Sequence, residues 1–400
     1  MKKSPKSKQH YELLAPAGSF PSLIAAINAG ADAVYFGLKE PGLNMRAAAK
    51  NFELSDLPKI AEICRKKKIK RYLTLNTIVY DNELGKVEEI IKYAKKYIDA
   101  VICWDNSVIE LCMKHKVPFH VSTQASVANS ASARFYKKLG AERITLAREL
   151  NLNQIKEIAK IIPVEVFIHG AMCVSVSGRC FTSQFLFGKS ANRGECLQPC
   201  RRVYIVKDED GNELKLENNT VMSAKDLCAL PFIEKLKEAG VSAFKIEGRN
   251  REPEYADTTV RVYRKALDKK LSAKEIQKGL EELKKVYTKG FSSGFFLGIP
   301  TSDDFSRAED SSSTEKKEFI GEITHYFPKV KVAAVRIMSG KLAVGDEILI
   351  IGDKTGILKQ KIKRIEIENK PVKQAVKGQE VGIKIPNTRK KDKMYLILKK

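Results

Sequence analysis

Short hydrophobic runs alternate with amphipathic segments along most of the chain. Eight runs have the composition of strands, and the segments between most of them carry apolar residues at helical spacing. The runs read ELLAPAG, ADAVYFGL, RYLTLNTIV, AVICW, PFHVSTQAS, RITLARE, VEVFIHG and VSAFKIEG. This alternation is typical of parallel βα units, and eight strands predict a (β/α)8 TIM-like barrel in the α/β class. A doubly wound sheet uses the same elements and stays an alternative.

Polar residues and one glycine at the ends of the predicted strands favour the barrel. They are Gly18, Asn76, Asp105, Thr123, Gln124, Arg148, Glu149, His169, Glu247 and Arg249. In a barrel the carboxyl ends of all strands converge on the face where catalysis takes place. Each residue taken alone is explained equally well as a helix cap or a loop residue.

The pattern divides the chain into four parts. A basic N-terminal tail spans 1–10, and the barrel spans 11–300 with a cysteine-rich insertion at 170–230 after the seventh strand. The insertion contains a hairpin-like stretch with a turn at Asp210-Gly211. A polar linker spans 301–318, and short alternating strands with Gly turns at 319–400 predict a small C-terminal β-barrel domain.

The charge balance is strongly basic. The chain has 72 Lys and Arg against 48 Asp and Glu, a net charge of +24, and 319–400 alone holds 19 basic against 8 acidic residues. This charge attracts polyanions such as nucleic acid, although Lys-rich surfaces also occur in proteins that bind none. No apolar run has the length of a signal peptide or a bilayer span. We therefore expect a cytoplasmic protein without membrane contact, whose thiols stay reduced.

Four of the eight cysteines lie within one short stretch after the seventh strand. Cys173, Cys180, Cys196 and Cys200 have the spacing C-x6-C, C-x15-C and C-x3-C, and 27 residues separate Cys200 from Cys228. Zinc knuckles use closely spaced pairs, which only the last spacing matches, and the ferredoxin run is absent. An iron–sulfur cluster, a zinc site, and redox or structural thiols all stay open.

Hydrolase motifs are weak. The segment from Gly290 to Gly294 matches a nucleophile elbow in letters but follows a helical pattern. His169 lies near Cys173 in sequence, as a cysteine peptidase would need, yet a single nucleophile does not require four or five clustered thiols. Peptidase activity therefore remains the alternative to metal chemistry.

Basic side chains accompany the thiols and the last strand. Arg179, Arg193, Arg201 and Arg202 flank the cysteines, where they would hold phosphates or a carboxylate unless they form only a solvated loop. In the eighth strand Lys245, Glu247 and Arg249 alternate, so they point to one face, inward in this register. Such an inward set is either functional or a buried layer of structural ion pairs.

The chain resembles a known family, peptidase family U32, along nearly its whole length. The most specific motif is EVFIHGAMCVSVSGRC, supported by ELLAPAG, STQ, GECLQPCR, AKDLC and KIEGR. In layout the chain is most similar to the members that hydroxylate uridine 34 of tRNA. Related members hydroxylate ribosomal RNA or a quinone precursor.

The resemblance implies an oxygen-independent, prephenate-linked conversion of the wobble uridine to 5-hydroxyuridine, with a [4Fe–4S] cluster. It implies the ligands Cys173, Cys180, Cys196 and Cys228, with Cys200 as the alternative fourth ligand. Together with the strand ends it predicts catalytic residues Lys245, Glu247, Arg249, His169 and Glu165, and substrate-binding residues Asn76, Gln124, Arg148, Arg179 and Arg201. The expected partner is tRNA, or alternatively rRNA, and a paralogous subunit remains open. The basic C-terminal domain would then hold RNA.

Overall fold

The computed structural model describes residues 10–46, 49–214, 222–308 and 311–400. The predicted N-terminal tail, apart from His10, lies outside these residues. Seven strands precede the insertion: β1 (Glu12–Pro16), β2 (Ala33–Phe36), β3 (Lys70–Leu75), β4 (Ala100–Cys103), β5 (Phe119–Val121), β6 (Arg143–Thr145) and β7 (Val164–Gly170). Helices follow the first six: α1 (Phe20–Ala29), α2 (Leu57–Lys66), α3 (Leu84–Ala94), α4 (Asn106–Lys114), α5 (Ser130–Lys138) and α6 (Leu152–Ala159).

Local signals fix the helix ends. Ser19 caps α1 by accepting a hydrogen bond from the Ser22 amide, and Pro21 occupies the first turn. Gly30 ends the helix in the left-handed region, with φ of 100°. The inserted segment then carries α7 (Thr182–Phe187), β8 (Val206–Lys207), β9 (Glu213–Leu214) and β10 (Asp226–Cys228). Strands β8 and β9 form the short hairpin expected at Asp210-Gly211.

The eighth strand closes the barrel. Helix α8 (Ile233–Glu238) follows the insertion on the outside, and β11 (Ala243–Ile246) then pairs in parallel with both β1 and β7. The predicted TIM-like barrel is therefore confirmed, and the doubly wound alternative is excluded. Strand β10 runs antiparallel to β7, so the insertion begins and ends against the same strand.

Side-chain alternation divides the core into two layers. Leu13 faces the helices as part of a large continuous cluster, whereas its neighbour Leu14 points into the barrel with Tyr35 and Tyr72. Outside the barrel, α9 (Pro253–Asp268) and α10 (Ala273–Lys284) are followed by the short strand β12 (Phe291–Ser292).

The C-terminal part is an antiparallel sheet domain with its own core. Its strands are β13 (Glu315–Phe327), β14 (Val332–Ile337), β15 (Lys341–Ala343), β16 (Glu347–Gly352), β17 (Gly356–Lys361), β18 (Ile365–Ile367), β19 (Lys370–Val372), β20 (Gln374–Val376), β21 (Glu380–Lys384) and β22 (Lys393–Lys399). Eight of them pair in the order β17-β16-β22-β13-β14-β21-β18-β19, and β15 pairs with β20. Over the described residues no pairing joins β17 to β19, so the sheet does not close through backbone hydrogen bonds.

The sheet domain packs against the first and ninth helices of the barrel. Strand β13 starts at Glu315, inside the segment expected to be a linker, and its Lys317 forms ion pairs with Glu252 and Glu254. Gly356, at the start of β17, lies so close to Ile24 of α1 that a Cβ atom would come within 2.7 Å of its side chain. Within the described residues, no helix has the length and apolar character of a membrane span.

Candidate active site at the barrel mouth

A small cavity opens at the carboxyl ends of the barrel strands. Its volume is about 100 Å³, and seven predicted site residues line it: Asn76, Gln124, Arg148, Cys173, Lys245, Glu247 and Arg249. Asn76 and Gln124 lie within hydrogen-bonding distance, with 3.5 Å between Nδ2 and Oε1. The convergence of strand ends expected from the sequence thus occurs, and the cysteine insertion contributes Cys173 to the same cavity.

The mouth contains more cationic than anionic side chains. Arg46 donates to Glu247 Oε1 through Nε at 3.2 Å and Nη2 at 3.1 Å. Arg148 donates to the Ala171 carbonyl at 3.0 Å, and Arg249 occupies the same cavity without an acidic partner among the described residues. One carboxylate therefore faces three guanidinium groups, an arrangement that favours binding of an anion.

Burial and charge act against each other on Glu247. Burial raises the pKa of this carboxyl, but the guanidinium groups of Arg46, Arg251 and Arg148 outweigh it and hold the pKa below its usual range. Arg249 is positioned by hydrogen bonds from Nη1 to Thr74 Oγ1 at 2.8 Å and Asn44 Oδ1 at 3.1 Å. Both side chains are therefore charged and held in defined positions at neutral pH.

Lys245 and Glu165 belong mainly to a polar layer beneath the cavity. Lys245 Nζ lies 2.8 Å from Glu165 Oε1, and Arg143 contacts both Glu165, at 3.4 Å, and Glu12. Burial raises the pKa of Glu165, yet Lys245 and Arg143 lower it to about 2. The positive charges of Lys245 and Arg143 thus balance the two carboxylates inside the barrel. Lys245 lines the cavity and also belongs to a buried ion-pair layer, the alternative stated from the sequence, whereas Glu247 and Arg249 line the cavity without joining that layer.

His169, predicted as catalytic, points away from the mouth. Its Nδ1 lies 3.3 Å from the Tyr263 hydroxyl, and its ring packs between Tyr255, Tyr263 and Phe291. Burial lowers the pKa of His169 to about 3, so the imidazole is neutral at physiological pH. This environment makes His169 part of the packing between barrel and outer helices.

The arginines of the insertion have different environments. Arg179 is exposed, whereas Arg201 is buried 3.5 Å from Asp226 and donates to the Met172 carbonyl at 3.2 Å. Arg193 binds the Glu83 carboxylate and the Ile78 carbonyl. Arg202 stacks over the ring of Phe187 with 4.3 Å to its centroid. Two of the four are thus engaged in internal ion pairs, which fix the insertion on the barrel.

The thiols separate into a group of four and a single buried residue. Burial raises the pKa of Cys200 to about 11, and the nearby thiols of Cys173, Cys196 and Cys180 act in the same direction. Cys228 is instead buried on the side of Tyr263, with 3.5 Å between its sulfur and the hydroxyl. The loop therefore places Cys200 within electrostatic reach of the other three thiols, whereas the Cys228 sulfur faces Tyr263.

The donor set fits a thiolate-bound cluster in type and number. Four thiols share one loop region next to the mouth, and a [4Fe–4S] cluster takes four thiolates. Among the residues that the structure describes, no three His, Cys, Asp or Glu side chains are already arranged around a common metal position. Metal binding generally closes such sites, because the ligands must deprotonate and gather around the ion.

Sequence reasoning missed the end of β2 and the loop after it. Three residues there line or support the mouth, and each contacts a residue about two hundred positions away. Arg46 contacts Glu247, and Asn44 contacts Arg249. The Tyr35 hydroxyl donates to the Ile246 carbonyl at 2.9 Å. The only signal in the sequence is the position of this Gly- and Asn-containing loop at a predicted strand end.

The model of peptidase family U32 matches residues 18–305, most of the chain. The chain belongs to peptidase family U32. A second model, Elongation factor Tu domain 2, matches residues 331–396 of this U32 protein.

Curated relatives carry two kinds of name. A protein named collagenase from Porphyromonas gingivalis is 42% identical over 96% of this chain and 97% of its own. The tRNA hydroxylation protein P1 of Bacillus subtilis is 34% identical over 85% of this chain and 83% of its own. The 23S rRNA 5-hydroxycytidine C2501 synthase of Escherichia coli is 38% identical over 66% of this chain and 40% of its own. The family thus contains proteins named for RNA hydroxylation and for proteolysis.

Proposed function

We propose that this U32 protein is an RNA-modifying enzyme that hydroxylates the wobble uridine, position 34, of tRNA to 5-hydroxyuridine. The observation that carries the proposal is the shared cavity: Cys173 of the thiol loop lines the same mouth as Arg148, Glu247 and Arg249. A redox group held by the loop would adjoin a cationic pocket able to bind an anionic substrate or co-substrate. The relatives named for tRNA and rRNA hydroxylation support this class of reaction.

The proposed cofactor is a [4Fe–4S] cluster held by Cys173, Cys180, Cys196 and Cys200. Such a cluster supplies one-electron chemistry when bound. Cys200 replaces Cys228 in the expected ligand set, because Cys228 faces Tyr263 while Cys200 lies among the other thiols. The Cys228 thiol could turn toward the loop only if its contact with Tyr263 and the pairing of β10 with β7 were broken.

The protein side chains bind and orient the reactants. Arg148 and Arg249 would pair with the carboxylates of prephenate, the proposed co-substrate, or with a phosphate beside the target base. Glu247 holds Arg46 in the mouth. Asn76 and Gln124, whose side-chain amides lie 3.5 Å from each other, would supply hydrogen bonds to a uracil edge. An anticodon loop is suitable because its bases are reached outside a stacked helix.

Proteolysis is the second candidate, supported by the relative named collagenase. The geometry of the candidate nucleophiles does not favour it. Ser292 of the elbow-like motif donates to Asp304 at 2.5 Å, and His169 is engaged with Tyr263 behind the barrel. Neither side chain forms a nucleophile and base pair in the mouth.

Nucleoside mass spectrometry tests the proposal directly. We expect 5-hydroxyuridine and its derivatives to disappear from the tRNA of cells that lack the protein and to return with the intact gene. A gene encoding Arg249→Gln should restore the protein but not the nucleoside. Unchanged tRNA, together with cleavage of collagen or peptides by purified protein, would establish the peptidase instead. Loss of a hydroxylated nucleoside from rRNA alone would show that the protein modifies RNA but would reject the wobble uridine of tRNA as its substrate.

A further inference from the structure

A large cleft lies where the C-terminal sheet domain meets the barrel. Its volume is about 820 Å³. One wall comes from the barrel, with Phe20 and Lys50, and the other comes from the sheet domain, with Lys354, Lys390 and Lys391. Seven basic and four acidic residues line it, so the cleft carries a net positive charge.

Local contacts occupy most of the acidic groups in the cleft. Asp392 accepts hydrogen bonds from Thr355 Oγ1 at 2.5 Å and from the Arg389 amide at 2.8 Å. Asp56 accepts from the Glu53 amide at 3.0 Å, and Glu252 pairs with Lys317. By contrast, five lysines of the cleft form no ion pair within the described part of the chain: Lys50, Lys354, Lys390, Lys391 and Lys393. The cationic groups are therefore available to an external anion.

The loop that presents Lys390 and Lys391 has a defined conformation. The Asp392 side chain, whose residue is only 4% exposed, ties the loop to Thr355, and the Lys391 amide donates to the Ile323 carbonyl at 2.8 Å. Gly352 packs directly on Asp392, since a Cβ atom there would lie 1.8 Å from its Oδ1. The lysines consequently extend from a fixed backbone into the cleft, which reduces the entropy lost when they bind.

The cleft and the barrel mouth adjoin the same loop. Lys39, Lys50 and Phe52 at the two ends of the β2–α2 loop line the cleft, and a bridge between Leu38 and Phe52 joins these ends. Arg46, from the middle of the same loop, reaches Glu247 in the mouth. A polyanion in the cleft would therefore run beside the loop that forms one side of the candidate active site.

We infer that this cleft binds the phosphate backbone of the RNA whose base enters the barrel mouth. The inference rests on the proposed function. Closely spaced lysines on a concave surface suit successive phosphates, and the half-buried rings of Phe20 and Tyr395 add apolar surface at its edge. A membrane surface fits less well, because the lysines lie between two domains and not on a convex face.

Salt-dependent binding of tRNA by the full-length protein tests the cleft. The test variant carries Lys354→Gln, Lys390→Gln and Lys391→Gln. The matched control carries Lys370→Gln, Lys373→Gln and Lys377→Gln, exposed residues of the same domain outside the cleft, with the same change in net charge. Three lost phosphate contacts should lower the slope of log affinity against log salt by about 2. The affinity lost between ~50 and ~200 mM salt should then shrink by about 16-fold.

The outcomes separate the cleft from the reaction. The inference is supported if the test variant binds tRNA more weakly with the lower slope while the control matches the unmodified protein. Equal slopes for all three proteins overturn it, even if wobble hydroxylation is found in cells. If the test variant binds tRNA more weakly but no hydroxylated nucleoside depends on the protein in cells, the cleft is supported as an RNA-binding site and the proposed reaction is rejected. Binding to anionic phosphatidylserine vesicles but not to tRNA would also overturn the inference.

Discussion

Arg46 Nη2 lies 3.1 Å from Glu247 Oε1, and this ion pair connects the loop after β2 with the end of β11 across the barrel mouth. The side chain of Glu247 is 11% exposed and that of Arg46 is 27% exposed, so water screens the pair only partly. The pair therefore couples the position of a loop to the charge of the cavity.

Removal of one partner should cost stability and function together. Arg46→Ala leaves the buried Glu247 carboxylate without its closest cation. We expect a loss of about 2–3 kcal/mol in the free energy of unfolding, less than for a fully buried pair because Arg46 is partly exposed. Urea denaturation of Arg46→Ala, Glu247→Ala and the double variant measures the coupling. Glu157→Gln, at an exposed pair with Lys160, is the control and should unfold like the unmodified protein. Additive effects of the two substitutions would contradict the coupling.

The fourth ligand of the proposed cluster can be identified by substitution. After anaerobic reconstitution, Cys228→Ala should retain iron, sulfide and the brown colour of the unmodified protein, because its thiol faces Tyr263. Cys200→Ala should lose most of the bound iron, because Cys200 lies among the other thiols. The reverse result would restore Cys228 as the ligand expected from the family resemblance. A colourless protein with stoichiometric zinc would reject the cluster.

His120 should make the fold sensitive to mild acid. Burial, and next the charge of Arg143, lower the pKa of this imidazole to about 3, whereas in the unfolded chain it is about 6.5. Below pH ~6.5 the His120 imidazole therefore binds a proton in the unfolded state but not in the folded state. Its contribution to the free energy of unfolding is complete above pH ~6.5 and is lost as the pH falls toward ~3.

The variant His120→Phe isolates this effect. The His120 ring packs edge-on against Tyr72, and its Nδ1 has no hydrogen-bond partner among the residues that the structure describes. A phenyl ring therefore fits this environment without leaving a polar group unpaired. We expect a flatter dependence of the urea midpoint on pH between 7 and 5, the range in which the unfolded imidazole gains its proton. A slope identical to that of the unmodified protein would show that His120 becomes protonated within the fold.

Gly18 should tolerate no side chain. A Cβ atom at this position would lie 2.0 Å from the Arg249 carbonyl oxygen, so Gly18→Ala must displace the backbone that presents Arg249. We expect a marked loss of stability and of the proposed tRNA hydroxylation. Gly85 in α3 is the matched control, since its Cβ would meet nothing within 4 Å and alanine favours a helix by about 0.5–1 kcal/mol. A stable and active Gly18→Ala protein would contradict the close approach.

The sequence by itself determined the barrel, the insertion and much of the mouth. Short hydrophobic runs and helical patterns define the eight strands and their helices, because each strand is buried on both faces and each helix on one. The positions of Asn76, Gln124, Arg148 and Arg249 followed from the same pattern, because the carboxyl ends of parallel strands meet at one face.

Only the tertiary structure decided which of these residues face one another. The alternation in the predicted eighth strand indicated that Lys245, Glu247 and Arg249 point inward, but only the structure shows that Lys245 pairs with Glu165 and Glu247 with Arg46. Arg46 belongs to the site because it contacts Glu247, some two hundred residues away in sequence, and no local pattern encodes that contact. The direction of the Cys228 thiol likewise depends on the pairing of β10 with β7 and on Tyr263. Such contacts arise only when the barrel closes, because closure brings distant strand ends together.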